Sequence, residues 1–112
     1  MNVTITIPNE IVQHLNGLPL GQVDDISLKL QFLLKAEYRR QLTHYSLTNR
    51  QFVKKYNLSF EEFERQQITK QHGYSWEIES DAIVWETAFD GIRTMKRKLT
   101  ELRTLKPVRR PQ

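Results

Sequence analysis

Arg39 and His44 are separated by four residues. An arginine and a histidine so placed suit phosphodiester chemistry, the guanidinium steadying a scissile phosphate while the imidazole acts as acid or base. Little else in the chain offers comparable chemistry. No cysteine occurs, which removes thiol nucleophiles, disulfides and thiolate metal sites together. His14, His44 and His72 stand far apart without ligand spacing. Carboxylates are plentiful, but no pair stands in an apolar setting that suggests acid–base work, and no glycine-rich phosphate loop is present. No metal and no cofactor is expected. The weight of the sequence falls on binding, not catalysis.

Charge supports that emphasis. The 112 residues, one domain by length, carry 17 Lys+Arg against 13 Asp+Glu, net +4. That total hides an alternation. Residues 1–37 are −2, residues 38–75 are +4, residues 76–92 are −5, and residues 93–112 are +7. Charge in blocks implies different surfaces for different partners. Hydrophobic residues, at 38%, suffice for one modest core. No apolar run reaches the roughly 18 residues of a membrane span. The N-terminal residues lack a basic stretch followed by an apolar one, so a secretory signal is not expected and the cytoplasm is the expected location.

The elements that would position these groups can be read from periodicity. Asn2-Val3-Thr4-Ile5-Thr6-Ile7 alternates polar and β-branched residues, the period of a half-buried strand. Pro8 ends it. Asn9 is a candidate cap for a helix bearing Ile11, Val12, Leu15 and Leu18, stopped by Gly17 and Pro19, with Gly21 in the loop beyond. Asp24 or Asp25 starts a longer helix, expected to run to about His44. Its stripe is Ile26, Leu30, Leu33, Leu34, Tyr38 and Leu42, widened by Leu28 and Phe32. Thr48 would cap a short helix bearing Phe52, Val53 and Tyr56, and Asn57 would break it. Ser59 and Glu62 form a capping box for a helix with Phe60, Phe63 and Ile68. His72-Gly73 reads as a turn, and Tyr74, Trp76 and Ile78 alternate as a short strand would. Ser80 is the expected cap of a long last helix. Trp85, Ala88, Ile92, Met95, Leu99 and Leu102 follow there at 3-4-3-4-3 spacing, a coiled-coil-like seam weakened at Gly91. Pro107 would end it, leaving a basic mobile tail, residues 107–112. The expected fold is therefore mainly α, with a short N-terminal strand, four to five helices, a helix-turn-helix-like corner and a long C-terminal amphipathic helix.

Two elements ask for partners. From Ser80 to Leu105 the last helix would measure about 39 Å, longer than the diameter of about 35 Å expected for a compact domain of this size. Part of its seam should meet another chain, or the helix should kink at Gly91. A lone strand at residues 2–7 must likewise pair with the Tyr74–Ile78 segment, with a second copy or with another protein.

The strand–helix–helix start resembles ribbon-helix-helix proteins. In that family two chains pair their first strands and the outward face enters the major groove, which would assign base contacts to Asn2, Thr4 and Thr6. Residues 48–67 resemble a helix-turn-helix through Thr48, Val53, Asn57, Leu58, Ser59 and Phe63. Arg50, Lys54, Lys55 and Arg65 would then touch phosphates. Both departures are acidic: Asp24-Asp25 opens one helix and Glu61, Glu62 and Glu64 sit on the other. Taken whole, the layout resembles small bacterial type II antitoxins, most specifically in the block from Gly73 to Asp81 followed by Trp85-Glu86. That resemblance implies neutralisation of a toxin, typically a ribonuclease, by direct binding, and operon autorepression. The partner-binding residues would be Tyr74, Trp76, Glu77, Glu79, Asp81, Trp85, Ile92, Met95, Leu99 and Leu102. Acidic side chains and aromatic anchors suit a basic partner.

The expected organisation is residues 1–73 for dimerisation and operator DNA, residues 74–106 as partner-binding arm, and the tail. A homodimer or hetero-oligomer with a cognate toxin follows, with no membrane role. One alternative is a homo-oligomeric scaffold in which the seam pairs with itself. The other is a small helical ribonuclease, since Arg39 and His44 resemble the Arg-x4-His motif of such a family, although Tyr45 follows His44 directly rather than one place later.

Overall fold

The computed structural model describes residues 2–19 and 25–105. The expected helix start at Asp24, the loop at Gly21 and the tail at residues 107–112 lie outside them. Five helices follow in order: α1 Asn9–Asn16, α2 Ile26–Tyr56, α3 Phe60–Arg65, α4 Ile68–Gln71 and α5 Trp76–Thr104. No helix among the described residues is long and apolar enough to cross a membrane.

The architecture is a long antiparallel helical hairpin. At 31 and 29 residues, α2 and α5 measure about 46 and 43 Å. The molecule extends over 65 × 27 × 23 Å with a radius of gyration of 20.4 Å, well above the roughly 13 Å of a compact domain this size. The expected excess length of the last helix is thus resolved within one chain, because a second helix of equal length covers its seam.

The helix expected to end near His44 and the short one expected after Thr48 are a single helix, α2. Thr48 caps nothing: its hydroxyl donates to the His44 carbonyl at 3.2 Å, inside an unbroken α2. Thr48 tolerates this because a helix interior lets its hydroxyl bond back one turn. A seam explains the continuity: Tyr38, Leu42, Tyr45, Asn49, Phe52 and Tyr56 recur at 4-3-4-3-4 spacing, all apolar or aromatic except Asn49. Asp25 caps this helix by accepting from the Ser27 amide at 2.8 Å. Asn57, at φ 55°, ends it in the left-handed conformation.

The expected strand at Tyr74–Ile78 is instead a turn and a helix start. Gly73 and Tyr74 both have positive φ, 67° and 57°, and Ser75 accepts from the Ile78 amide at 3.3 Å. Ser75, not Ser80, is therefore the cap of α5. With that segment helical, Asn2–Ile7 has no ladder partner and forms no strand among the described residues. Asn9 is likewise not a cap. It opens α1 behind Pro8, whose carbonyl accepts from Ile11 and Val12.

The helix-turn-helix-like corner survives only as a corner. Ser59 caps α3 by accepting from Glu62 at 3.1 Å, but α3 has just six residues. Gln67, at φ 50°, separates it from the single turn of α4. Both helices fold over the hairpin tip, where Phe60, Phe63 and Trp85 form the buried centre of the core.

Candidate functional site

The register of the hairpin is pinned at four places, and these decide which side chains remain free. Near the tip the Lys55 ammonium donates to Glu77 at 3.0 Å and to Asp81 at 2.5 Å. The Tyr56 hydroxyl donates to the same Asp81 carboxylate at 2.5 Å. One heptad inward, the Trp85 indole N–H donates to Asn49 Oδ1 at 2.8 Å. At mid-length the Tyr45 ring lies on the backbone of α5 at Gly91, where a Cβ would come within 2.5 Å of the ring. Further out, the Lys98 ammonium sits 5.4 Å from the centre of the Tyr38 ring. Gly91 is thus a close-approach position and not a kink.

Asp81 and Asn49 occupy seam positions. A polar group there must be paired, and pairing fixes register. Burial raises the Asp81 carboxyl's affinity for a proton, but hydrogen bonds from Lys55 and Tyr56 outweigh it and hold the group below its ordinary value. Tyr56 is pushed up to about 12, first by burial and then by its bond to Asp81. Lys55 is raised above the usual lysine range by its bonds to Asp81 and Glu77.

Aromatic packing completes the tip. Trp85 is fully buried among Phe52, Tyr56, Phe60 and Phe63, with ring centres 5.0–5.7 Å apart.

The expected partner-binding residues divide accordingly. Trp85 and Met95 are buried within the chain, and Ile92, Leu99 and Leu102 are half-buried along the α2–α5 seam. Glu77 and Asp81 are engaged by Lys55. Tyr74, Trp76 and Glu79 are exposed, Trp76 to 82%. The expected DNA-binding residues do not converge either. Asn2, Thr4 and Thr6 are exposed but lie in no strand. Arg50, Lys54 and Arg65 are exposed, and Lys55 is committed to the ion pairs.

Arg39 and His44 share one uninterrupted helix, so five positions turn them about 140° apart. Such side chains diverge and do not grip one phosphate. His44 instead borders a shallow groove of about 190 Å³ with Tyr45, Thr48, Ile83, Val84, Thr87 and Ala88, small beside the roughly 300–1,000 Å³ of ligand pockets. No group of three or more His, Asp or Glu converges on a metal position among the described residues.

The contacts of Asn49 with Trp85 and of Tyr45 with Gly91 have no motif of their own in the sequence. Their signal was present in the unbroken 4-3 spacing from Tyr38 to Tyr56. No protein-family model, curated protein or solved structure matches this chain.

Proposed function

We propose that this chain acts by binding another protein, in the manner of the antitoxins it resembles, with a toxin of basic surface as partner. The observation that carries this reading is Trp76, 82% exposed in the first turn of α5, beside Tyr74 at 59%. Two aromatic side chains held in water on an ordered helix start are suited to anchor a partner. The exposed acidic residues Glu79, Glu86 and Asp90 continue along the same helix. They favour a positively charged surface and would speed encounter. The test is co-expression with the neighbouring gene's product, followed by calorimetry. Trp76→Ala should weaken the complex at least tenfold, about 1.4 kcal/mol or more, without changing helicity. A stable monomer that retains no partner would sink the proposal.

Self-association is a second reading, favoured by Asn2–Ile7. Val3 is 80% and Ile5 65% exposed. Two copies paired antiparallel about Ile5 would set Val3 opposite Ile7 and Thr4 opposite Thr6. One face would then be apolar and the other hydroxylated, each favourable across strands. Light scattering checks it: Ile5→Asp should convert a dimer to a monomer, and a wild-type monomer at high concentration refutes it.

A further inference from the structure

The antiparallel register brings together two basic segments that the sequence keeps apart. Opposite the tip, residues 35–43 of α2 lie against residues 93–103 of α5, as the Tyr38–Lys98 contact and the Tyr45–Gly91 approach require. These stretches hold eight Lys and Arg and two acidic residues, Glu37 and Glu101. Glu37 is held by Arg40 at 2.6 Å and Glu101 lies 3.6 Å from Arg97.

Six of the cations fall on one side of the hairpin. On α5, Phe89, Arg93, Lys96 and Arg103 follow at i, i+4, i+7 and i+14, with Arg97 adjoining them. Phe89 meets Phe60 of α3, their ring centres 4.9 Å apart, so this is the side that α3 covers near the tip. On α2, Lys35, Leu42, Asn49 and Tyr56 share a heptad row, and Tyr56 meets Phe63 of α3 at 5.1 Å. Arg39 stands one turn beyond Lys35. The short helices α3 and α4 stop at the tip and do not reach the far half of this side. Arg39, Arg93, Lys96, Arg97 and Arg103 are all exposed there.

We propose that this surface binds duplex nucleic acid through its phosphates. Four of the six cations are arginines, whose forked guanidinium suits phosphate oxygens. The α5 row runs about 15 Å, the reach of about four phosphates along one strand. A second row on α2 lies about 8–10 Å away. Phe32, 44% exposed beside Lys35, is the one exposed aromatic of this half among the described residues. Single-strand binding needs a series of stacking platforms, so a duplex is the better fit. A membrane surface fits less well, because insertion needs a free apolar stripe beside the cations. Here Met95, Leu99 and Leu102 are turned towards α2. The surface is separate from Trp76 and from Arg50, Lys54, Lys55 and Arg65, and it adjoins the acidic face only at Asp90, which borders Arg93 and Arg97.

The test is fluorescence anisotropy of a labelled 24-bp duplex with the full chain between 50 and 200 mM salt. Binding should weaken linearly in log–log form. The variant Arg93→Gln/Lys96→Gln/Arg97→Gln should bind at least tenfold more weakly at low salt, with a slope shallower by about 2–3. Arg39→Gln, on the other helix, should act in the same direction to a smaller extent. Arg50→Gln/Lys54→Gln, at the tip, should leave both quantities within twofold. The inference fails if the wild type does not saturate at 50 mM salt, or if the triple variant matches it. It also fails if the tip variant loses as much, or if vesicles with anionic headgroups are bound and the duplex is not.

Discussion

The two halves of the hairpin are built by different physics. At the tip, α2 and α5 are joined by a buried indole, an aromatic shell and an ion-paired carboxylate, and α3 and α4 close one side. In the far half the same helices meet through Met95, half-buried Leu99 and Leu102, and a cation over a tyrosine ring. There Arg39, Arg93, Lys96, Arg97 and Arg103 are exposed, beyond the reach of α3 and α4. One continuous seam thus carries a stabilising end and an exposed charged end. Stability should be lost mainly by damage at the tip, and charge-dependent binding by damage at the far half.

The largest effect expected is from Trp85→Ala, about 3–5 kcal/mol in equilibrium unfolding by urea. Truncation empties the centre of the aromatic cluster and removes the donor from Asn49 Oδ1. Met95→Ala, the matching deletion in the far half, should cost about 2–3 kcal/mol. Equal losses would mean that the far half is as tightly packed as the tip.

Next in size is Gly91→Ala at the boundary between the halves. Alanine favours a helix over glycine by about 1 kcal/mol. A Cβ here meets Tyr45 ring carbons at 2.5–2.7 Å, so the ring must be displaced from the seam. Net destabilisation of about 1–3 kcal/mol is expected, measured as a lowered Tm. A stabilised variant would show that the halves meet loosely at this point.

The last helix and its seam were legible in the sequence, because Trp85 to Leu102 keep an unbroken apolar spacing. The partner of that seam was not. Its positions on α2 include Asn49, and Thr48 resembles a cap, so one helix looked like two. A polar seam residue reads as a break until the Trp85 indole is seen to satisfy it. The helix start at Ser75 was hidden for another reason. Tyr74, Trp76 and Ile78 alternate, yet the left-handed Gly73 and Tyr74 turn the chain directly into α5. Of the candidate surface, the residue type of Trp76 is legible in the sequence, but its 82% exposure depends on packing that no spacing reveals. The joining of residues 35–43 to 93–103 needed the register, which tertiary contacts alone fix.

The smallest effect depends on pH, and only at the tip. Asp81→Asn should cost about 1–2 kcal/mol near neutrality, less than the full worth of hydrogen bonds to a charged group, because an amide oxygen can still accept from Lys55 or Tyr56. Because the folded carboxyl binds its proton less readily than the ordinary value of 3.8, the unfolded chain takes up protons first as the pH falls. The contribution is therefore complete above about pH 5 and disappears as pH drops through the folded value. At the alkaline end Tyr56 acts oppositely. Its folded value of about 12 against 10.0 means that the unfolded chain releases its proton first, so the tyrosine's contribution fades between those values. Urea midpoints of wild type and Asp81→Asn should then differ by a constant amount from about pH 5 to pH 9 and converge below pH 4. Met95→Ala should show a loss nearly independent of pH over the same range, because no titrating side chain is removed. A pH-independent gap for Asp81→Asn would mean that the carboxylate only fills space at the tip, and that the two halves differ in packing alone.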